Sequence, residues 1–208
     1  LSHGREDIRA AIAEYDGVDA AGLRANLITF LQAVTPAAEA CGARICLHPD
    51  DPPFSIFGLP RVVSTKADYA ALFDAVPAMA NGITLCAGSL GSRAENDVLD
   101  IAHTFADRIH FAHLRNVTLQ KNGAFYEDDH LEGGVDMVAL TQTLMREEVR
   151  RRAEDRKDAV IPMRPDHGHL LIDDITKTTN PGYSAIGRLK GLAELRGIAR
   201  AINALERT

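Results

Sequence analysis

The chain has 208 residues, of which 46% are hydrophobic and 25% charged, within the range of an ordinary globular protein with one substantial core. Its formal net charge of −6 and pI near 5.7 argue against nucleic-acid binding, which needs clustered lysine and arginine, and point to a small-molecule partner. No apolar run approaches the roughly 20 residues needed to cross a bilayer, residues 1–17 lack a signal-peptide pattern, and three cysteines do not make a disulfide framework, so a reducing cytoplasm is the expected location.

Residues 1–20 read as a leading helical or loop segment that opens without an initiator Met. From Ala21 to Gly42 apolar residues recur at helical spacing (Leu23, Leu27, Phe30, Leu31, Val34), with Gly42 placed as a C-terminal cap and Pro36 marking a kink. "ARICLH" (43–48) is a short apolar run with β-branched content, and the prolines of "HPDDPP" (48–53) stop it near His48. "STKADYAALFDAVP" (64–77) opens on a Ser/Thr capping signal and carries a stripe of Tyr69, Leu72, Phe73 and Val76. "GITLCAGSLG" (82–91) predicts a strand running into a glycine-rich loop.

The alternation continues with a helix over 94–108, a strand "IHFAHLRNV" over 109–117, a helix over 136–156, a strand "AVIPMRPDHG" over 159–168 and a closing helix near 184–206. The run "REEVRRRAEDRKD" (146–158) mixes signs and predicts a solvated helix end. Residues 117–136 form a longer connection than a βα unit needs, with Glu127 and His130 as candidate substrate contacts and an ordinary surface loop as the alternative.

Strands separated by helices of this length are joined by crossovers, which makes the sheet parallel. No glycine-rich phosphate fingerprint follows the first strand, since "HPDDPP" puts carboxylates where a pyrophosphate would sit; a (β/α) barrel is favoured over a doubly wound sheet. A closed barrel needs eight strands and about 250 residues, and four strands are visible. Residues 1–208 are therefore expected to form one partial barrel domain, either the later part of a longer protein or one completed by another chain, which leaves a homo-oligomer open.

His48 ends the first strand, Cys86 the second and His113 the third, while Asp166 follows the fourth. In a parallel barrel all strand C-termini open on one face, so these four converge, and all are ligand types for a divalent transition metal. Each alone has an ordinary explanation: a strand-end histidine is commonly a hydrogen-bonded structural group and a cysteine commonly a small buried hydrophobe. The density of Arg164, Asp166, His167 and His169 directly after an apolar strand is harder to explain without a site. Cys41 and Cys46 read as packing residues, His103 and His110 as structural, and His3 as part of the leading segment.

The segments "CLHPDDPP", "LCAGSLG", "HFAHLRNV", "IPMRPDHGH" and "NPGYSAIGRLKGLAELRGI" together resemble the mannonate dehydratase family, in order, from about residue 20 onward. The resemblance implies a xylose-isomerase-like TIM barrel of class α/β, with this chain supplying about the C-terminal half. It implies dehydration of D-mannonate to 2-dehydro-3-deoxy-D-gluconate in hexuronate catabolism, with Mn²⁺ or Fe²⁺ held by His48, Cys86, His113 and Asp166. It also implies catalytic roles for Asp166 and Tyr183, with Arg164 and His167 beside the substrate; since a carboxylate bound to a metal is a weakened base, His167 is the reserve base. By ligand softness alone the thiolate would favour zinc, so the choice of metal rests on the family. Two other readings stay open: a divalent-metal sugar isomerase or epimerase on the same barrel, and a non-catalytic metal-binding fragment.

Overall fold

The computed structural model describes residues 4–206, so His3 lies outside the described residues. A short helix α1 (Arg5–Ala13) buries none of its side chains. Helix α2 (Ala20–Cys41) is capped at its start by the Asp19 carboxylate, which accepts from the Gly22 N–H. It ends at Gly42 with φ 71°, a left-handed position at which a side chain would be strained. Pro36 is accommodated inside it. Of the apolar stripe expected on α2, Leu31 is fully buried whereas Phe30 is 56% exposed, because the helix contributes only a narrow face to the core.

Four strands, β1 (Ile45–Leu47), β2 (Asn81–Cys86), β3 (Ile109–His113) and β6 (Met163–Arg164), form one parallel sheet in the order β1-β2-β3-β6. The order follows the chain without reversal, so among the described residues there is no switch point of the doubly wound kind. Among the described residues the sheet has two unpaired outer edges, along β1 and β6.

Helix α3 (Lys66–Ala75) connects β1 to β2 and starts on the predicted signal: Thr65 and Asp68 form a reciprocal capping box. Its predicted stripe is buried as Tyr69, Leu72, Phe73 and Val76. Tyr69 and Phe73 meet Phe105 with ring centroids 6.2 and 5.3 Å apart, which closes the core under helix α5 (Val98–Thr104). Helix α6 (Met137–Ala153), capped by Asp136, connects to β6, and α7 (Ala185–Leu205), capped by Ser184, closes the chain.

Several expectations are corrected. The glycine-rich segment after β2 is no loop but a short helix, α4 (Ala87–Gly91), because the Cys86 sulfur accepts from the Ser89 N–H and caps it. The helix expected over 94–108 is reduced to α5 plus a 3-10 turn at Ala106–Arg108. The strand expected over 109–117 breaks after His113, and the chain then starts an antiparallel hairpin of β4 (Asn116–Leu119) and β5 (Phe125–Asp128), so the long connection is structured rather than a plain surface loop. Asn116 anchors that hairpin by donating to His130 O and Val135 O and accepting from Val135 N–H. Only Met163 and Arg164 of the fourth strand pair.

Cys41 is exposed, not packed. The charged run after residue 146 is not simply solvated either: Arg151 is fully buried, held by Glu147 and by the carbonyls of Ala106, Ile109 and Asp158.

Candidate metal centre

The sheet delivers its polar residues to one end. His48 directly follows β1, Cys86 is the last residue of β2 and His113 the last of β3, and the parallel register aligns Cys86 with His113. One ligand atom from each of these three lies within 4.8 Å of the others, and His48 Nε2 is 3.2 Å from His113 Nδ1. His48 faces solvent, Cys86 is fully buried and His113 nearly so.

The sulfur is poised as a ligand. Burial by itself pushes the Cys86 thiol up, but hydrogen bonds with His113 and His48, the Arg115 charge and Ser89 together bring it down to about 5. Burial opposes the charged form of His48, and Cys86, the Pro49 carbonyl and Asp51 together outweigh it, raising the ring's pKa. A thiolate among imidazoles, one of them open to solvent, is a donor set that suits a divalent transition metal.

Asp166 stands beside this trio, with Oδ2 3.5 Å from His113 Nδ1 and Oδ1 accepting from Arg164 at 2.5 Å. Burial alone would raise its carboxyl; the charges of His113, His167 and Arg164 hold it below the ordinary value. Its backbone is left-handed, φ 66°, an uncommon conformation for a non-glycine residue that turns the chain sharply after β6. The turn is clamped by α7. Gly168 and Gly187 meet backbone to backbone, where a Cβ on Gly168 would lie 2.3 Å from Gly187 C, and Gly168 N–H donates to Gly182 O.

His167 follows, with Nδ1 2.8 Å from Glu127 Oε1 and Nε2 3.3 Å from Tyr183 Oη. Tyr183 is 44% exposed, and its ring centroid is 4.9 Å from that of His167. His169 Nε2 reaches Glu127 O. His130 sits apart from the open face: it is buried against Gly191, its Nε2 meets Pro165 O, and it braces the turn from behind. Arg164 is half exposed at the rim.

Arg115 is the residue that the sequence reading passed over. Its side chain is almost wholly buried beneath the site, contacting Asp51, Glu127, Ser89 and, at 3.7 Å, Asp166. The stem passes where a Cβ on Gly88 would lie 2.5 Å from its Cγ. A signal was present: an arginine two residues after His113 in a run read as one strand falls on the same face as that histidine.

A parallel sheet with its strands in chain order, and imidazole, thiolate and carboxylate groups gathered at its C-terminal end, defines an α/β protein with a candidate transition-metal site. The sequence profile of the D-mannonate dehydratase (UxuA) family matches residues 3–208, and the chain belongs to that family. It is 58% identical over 202 residues to mannonate dehydratase 2 of Agrobacterium fabrum (strain C58 / ATCC 33970), covering 97% of this chain and 51% of that protein. To the mannonate dehydratase of Saccharophagus degradans it is 52% identical over 207 residues, covering 99% of this chain and 52% of that protein. The crystal structure of mannonate dehydratase from Streptococcus suis serotype 2 superposes with a TM-score of 0.84 at 35% identity, covering 96% of this chain and 55% of that one. The chain thus spans about half the length of the curated relatives it matches.

Proposed function

We propose that this chain supplies the metal-binding part of a hydro-lyase that dehydrates D-mannonate to 2-dehydro-3-deoxy-D-gluconate, as about the C-terminal half of a xylose-isomerase-like (β/α) barrel. The observation that carries the reading is the convergence of His48, Cys86 and His113 from three successive strand ends, in a chain of this family. Asp166 is the proposed fourth ligand, and Mn²⁺ or Fe²⁺ the proposed ion. When bound, such an ion supplies Lewis-acid stabilisation of charge developing on a sugar-acid carboxylate. The thiol ligand must stay reduced, which favours a reducing compartment such as the cytoplasm.

Dehydration takes the hydrogen next to the substrate carboxylate and expels the neighbouring hydroxyl; the enol formed tautomerises to the 2-keto acid. Two proton movements are needed. Tyr183, half exposed and hydrogen-bonded to His167, is the proposed acid that protonates the departing oxygen. Asp166 and His167 are the candidates for the base. Asp166 is engaged by Arg164 and is the proposed fourth ligand, whereas the His167 Nε2 contact is the exposed one to Tyr183 Oη, which favours His167. Arg164 at the rim is the proposed partner of a substrate carboxylate. His130, buried and engaged with Pro165, is better suited to supporting the turn than to the substrate contact first expected of it.

The test is conversion of D-mannonate with added Mn²⁺ or Fe²⁺, read as 2-keto-3-deoxy acid. Tyr183→Phe is expected to keep metal and lose turnover by at least about 100-fold. An isomerised or epimerised sugar without the deoxy product would replace this reading by its closest rival. The two unpaired sheet edges also favour a second reading, a metal-binding portion that turns over only when the remaining strands are supplied; bound metal without product would select it.

A further inference from the structure

The acid–base pair of the proposed dehydration is held by a residue that neither the ligand set nor the reaction calls for. Glu127 lies on β5, its backbone paired with Val117 and its carbonyl accepting from His169 Nε2. Its Oε1 is 2.8 Å from His167 Nδ1 and also meets Arg115 Nη1. Arg115 Nη1 is in turn 3.2 Å from the same His167 nitrogen. Three groups crowd one point, and their chemistry leaves a single arrangement.

A guanidinium only donates and a carboxylate only accepts. If Nδ1 carried a lone pair, it would face the Glu127 carboxylate at 2.8 Å, acceptor against acceptor. With hydrogen on Nδ1, both it and Arg115 donate to the carboxylate, and the 3.2 Å approach of the two nitrogens is that of two donors sharing one anion. The lone pair of a neutral ring then lies on Nε2. There the partner within hydrogen-bond reach is Tyr183 Oη at 3.3 Å; Asp166 Oδ2, at 3.9 Å, is too far.

We infer that Glu127 is a positioning residue that keeps the hydrogen of neutral His167 on Nδ1, so that Nε2 accepts from the Tyr183 hydroxyl. The inference rests on the dehydratase reading only for the importance of His167 and Tyr183. Arg115 donates to the Glu127 carboxylate and so holds it in place, and Asp51 and Ser89 hold Arg115. Removing the carboxylate reverses the ring: Arg115 becomes the donor facing Nδ1, the hydrogen moves to Nε2, and the Tyr183 hydroxyl loses its acceptor.

The experiment is nitrogen-15 NMR of the imidazole rings in the metal-free 208-residue chain, recorded at rising pH until the His167 signals stop changing, so that the neutral ring is read. The His167 signals are assigned by their loss in His167→Gln. In the unaltered chain Nδ1 is expected at a pyrrole-type position and Nε2 at a pyridine-type one. Glu127→Ala should exchange the two, with the amide spectrum confirming an intact fold. Tyr183→Phe, at a half-exposed position, should leave the pattern unchanged. A hydrogen on Nε2 in the unaltered chain, an unchanged pattern in a folded Glu127→Ala, or a reversal in Tyr183→Phe each overturns the assignment. If Glu127→Ala does not fold, the unaltered chain and Tyr183→Phe still decide. Because no turnover is measured, failure of the dehydratase reading would leave this result intact, and the converse holds.

Discussion

His110 shows how far burial acts through one side chain. Its Nε2 contacts Met79 O at 2.8 Å, while Nδ1 is buried without a hydrogen-bond partner, 3.8 Å from Asp158 Oδ2. Burial is the largest cause that lowers the ring's pKa; with Arg151 and Arg44 acting in the same direction and the Met79 carbonyl and Asp158 opposing them, it comes to about 4. A folded pKa below the unfolded value means the contribution is complete above the ordinary histidine pKa of about 6.5 and is lost as pH falls toward 4. Urea titrations across that window should show a loss on the order of 3 kcal/mol from this group, and His110→Phe should flatten that part of the pH profile. A close neighbour makes the opposite point about charge. Arg151 has no exposure and donates to Glu147 and three backbone carbonyls, so Arg151→Met strands those acceptors. We expect a cost of about 3 kcal/mol in chemical denaturation; a change under about 0.5 kcal/mol, the size of an ordinary surface substitution, would show the pairing to be dispensable.

At the scale of the element, termini and contact faces do the positioning. The Cys86 sulfur caps α4, and serine also caps well, so Cys86→Ser should preserve the helix by circular dichroism while reducing bound metal severely. Retention of metal by that variant would remove the sulfur from the ligand set. Helix α7 approaches the 165–169 turn through two glycines one helical turn apart. A Cβ on Gly191 would lie 2.1 Å from His130 Cε1, and one on Gly187 2.1 Å from His169 O. Gly191→Ala therefore forces His130 off Pro165 or lifts the helix, at about 1–3 kcal/mol in the denaturation midpoint. If the turn carrying Asp166 depends on that packing, metal affinity falls in the same variant.

For the whole molecule, the parallel sheet collects the proposed ligands, separated by 38, 27 and 53 residues of sequence (48 to 86, 86 to 113, 113 to 166), onto one end. A metal bound only by the folded arrangement stabilises it by mass action. At a hundredfold excess over Kd, the gain is about 2.7 kcal/mol, readable as a rise in the denaturation midpoint with added Mn²⁺ and absent in Cys86→Ser. No helix among the described residues is long and apolar enough to cross a membrane.

Much of this was legible in the chain because it depends on local rules. Helical spacing marked α2 and α3, a Ser/Thr capping signal marked the start of α3, and strand–helix alternation required parallel connections. The four ligand candidates each stood at or just after the end of an apolar run. What local rules could not supply was the partner of each group. Residue 151 belongs to a run of charges, and only the packing of α6 against the chain near Ala106 and Ile109 makes it a buried residue. Arg115 and Glu127 are twelve residues apart and meet because a hairpin folds back, a register that alternation of polarity does not determine. Sequence by itself determined which apolar runs enter the sheet, since that follows from periodicity and turn chemistry. Tertiary structure alone decided which residues face one another, since contact depends on how separate elements share a single core.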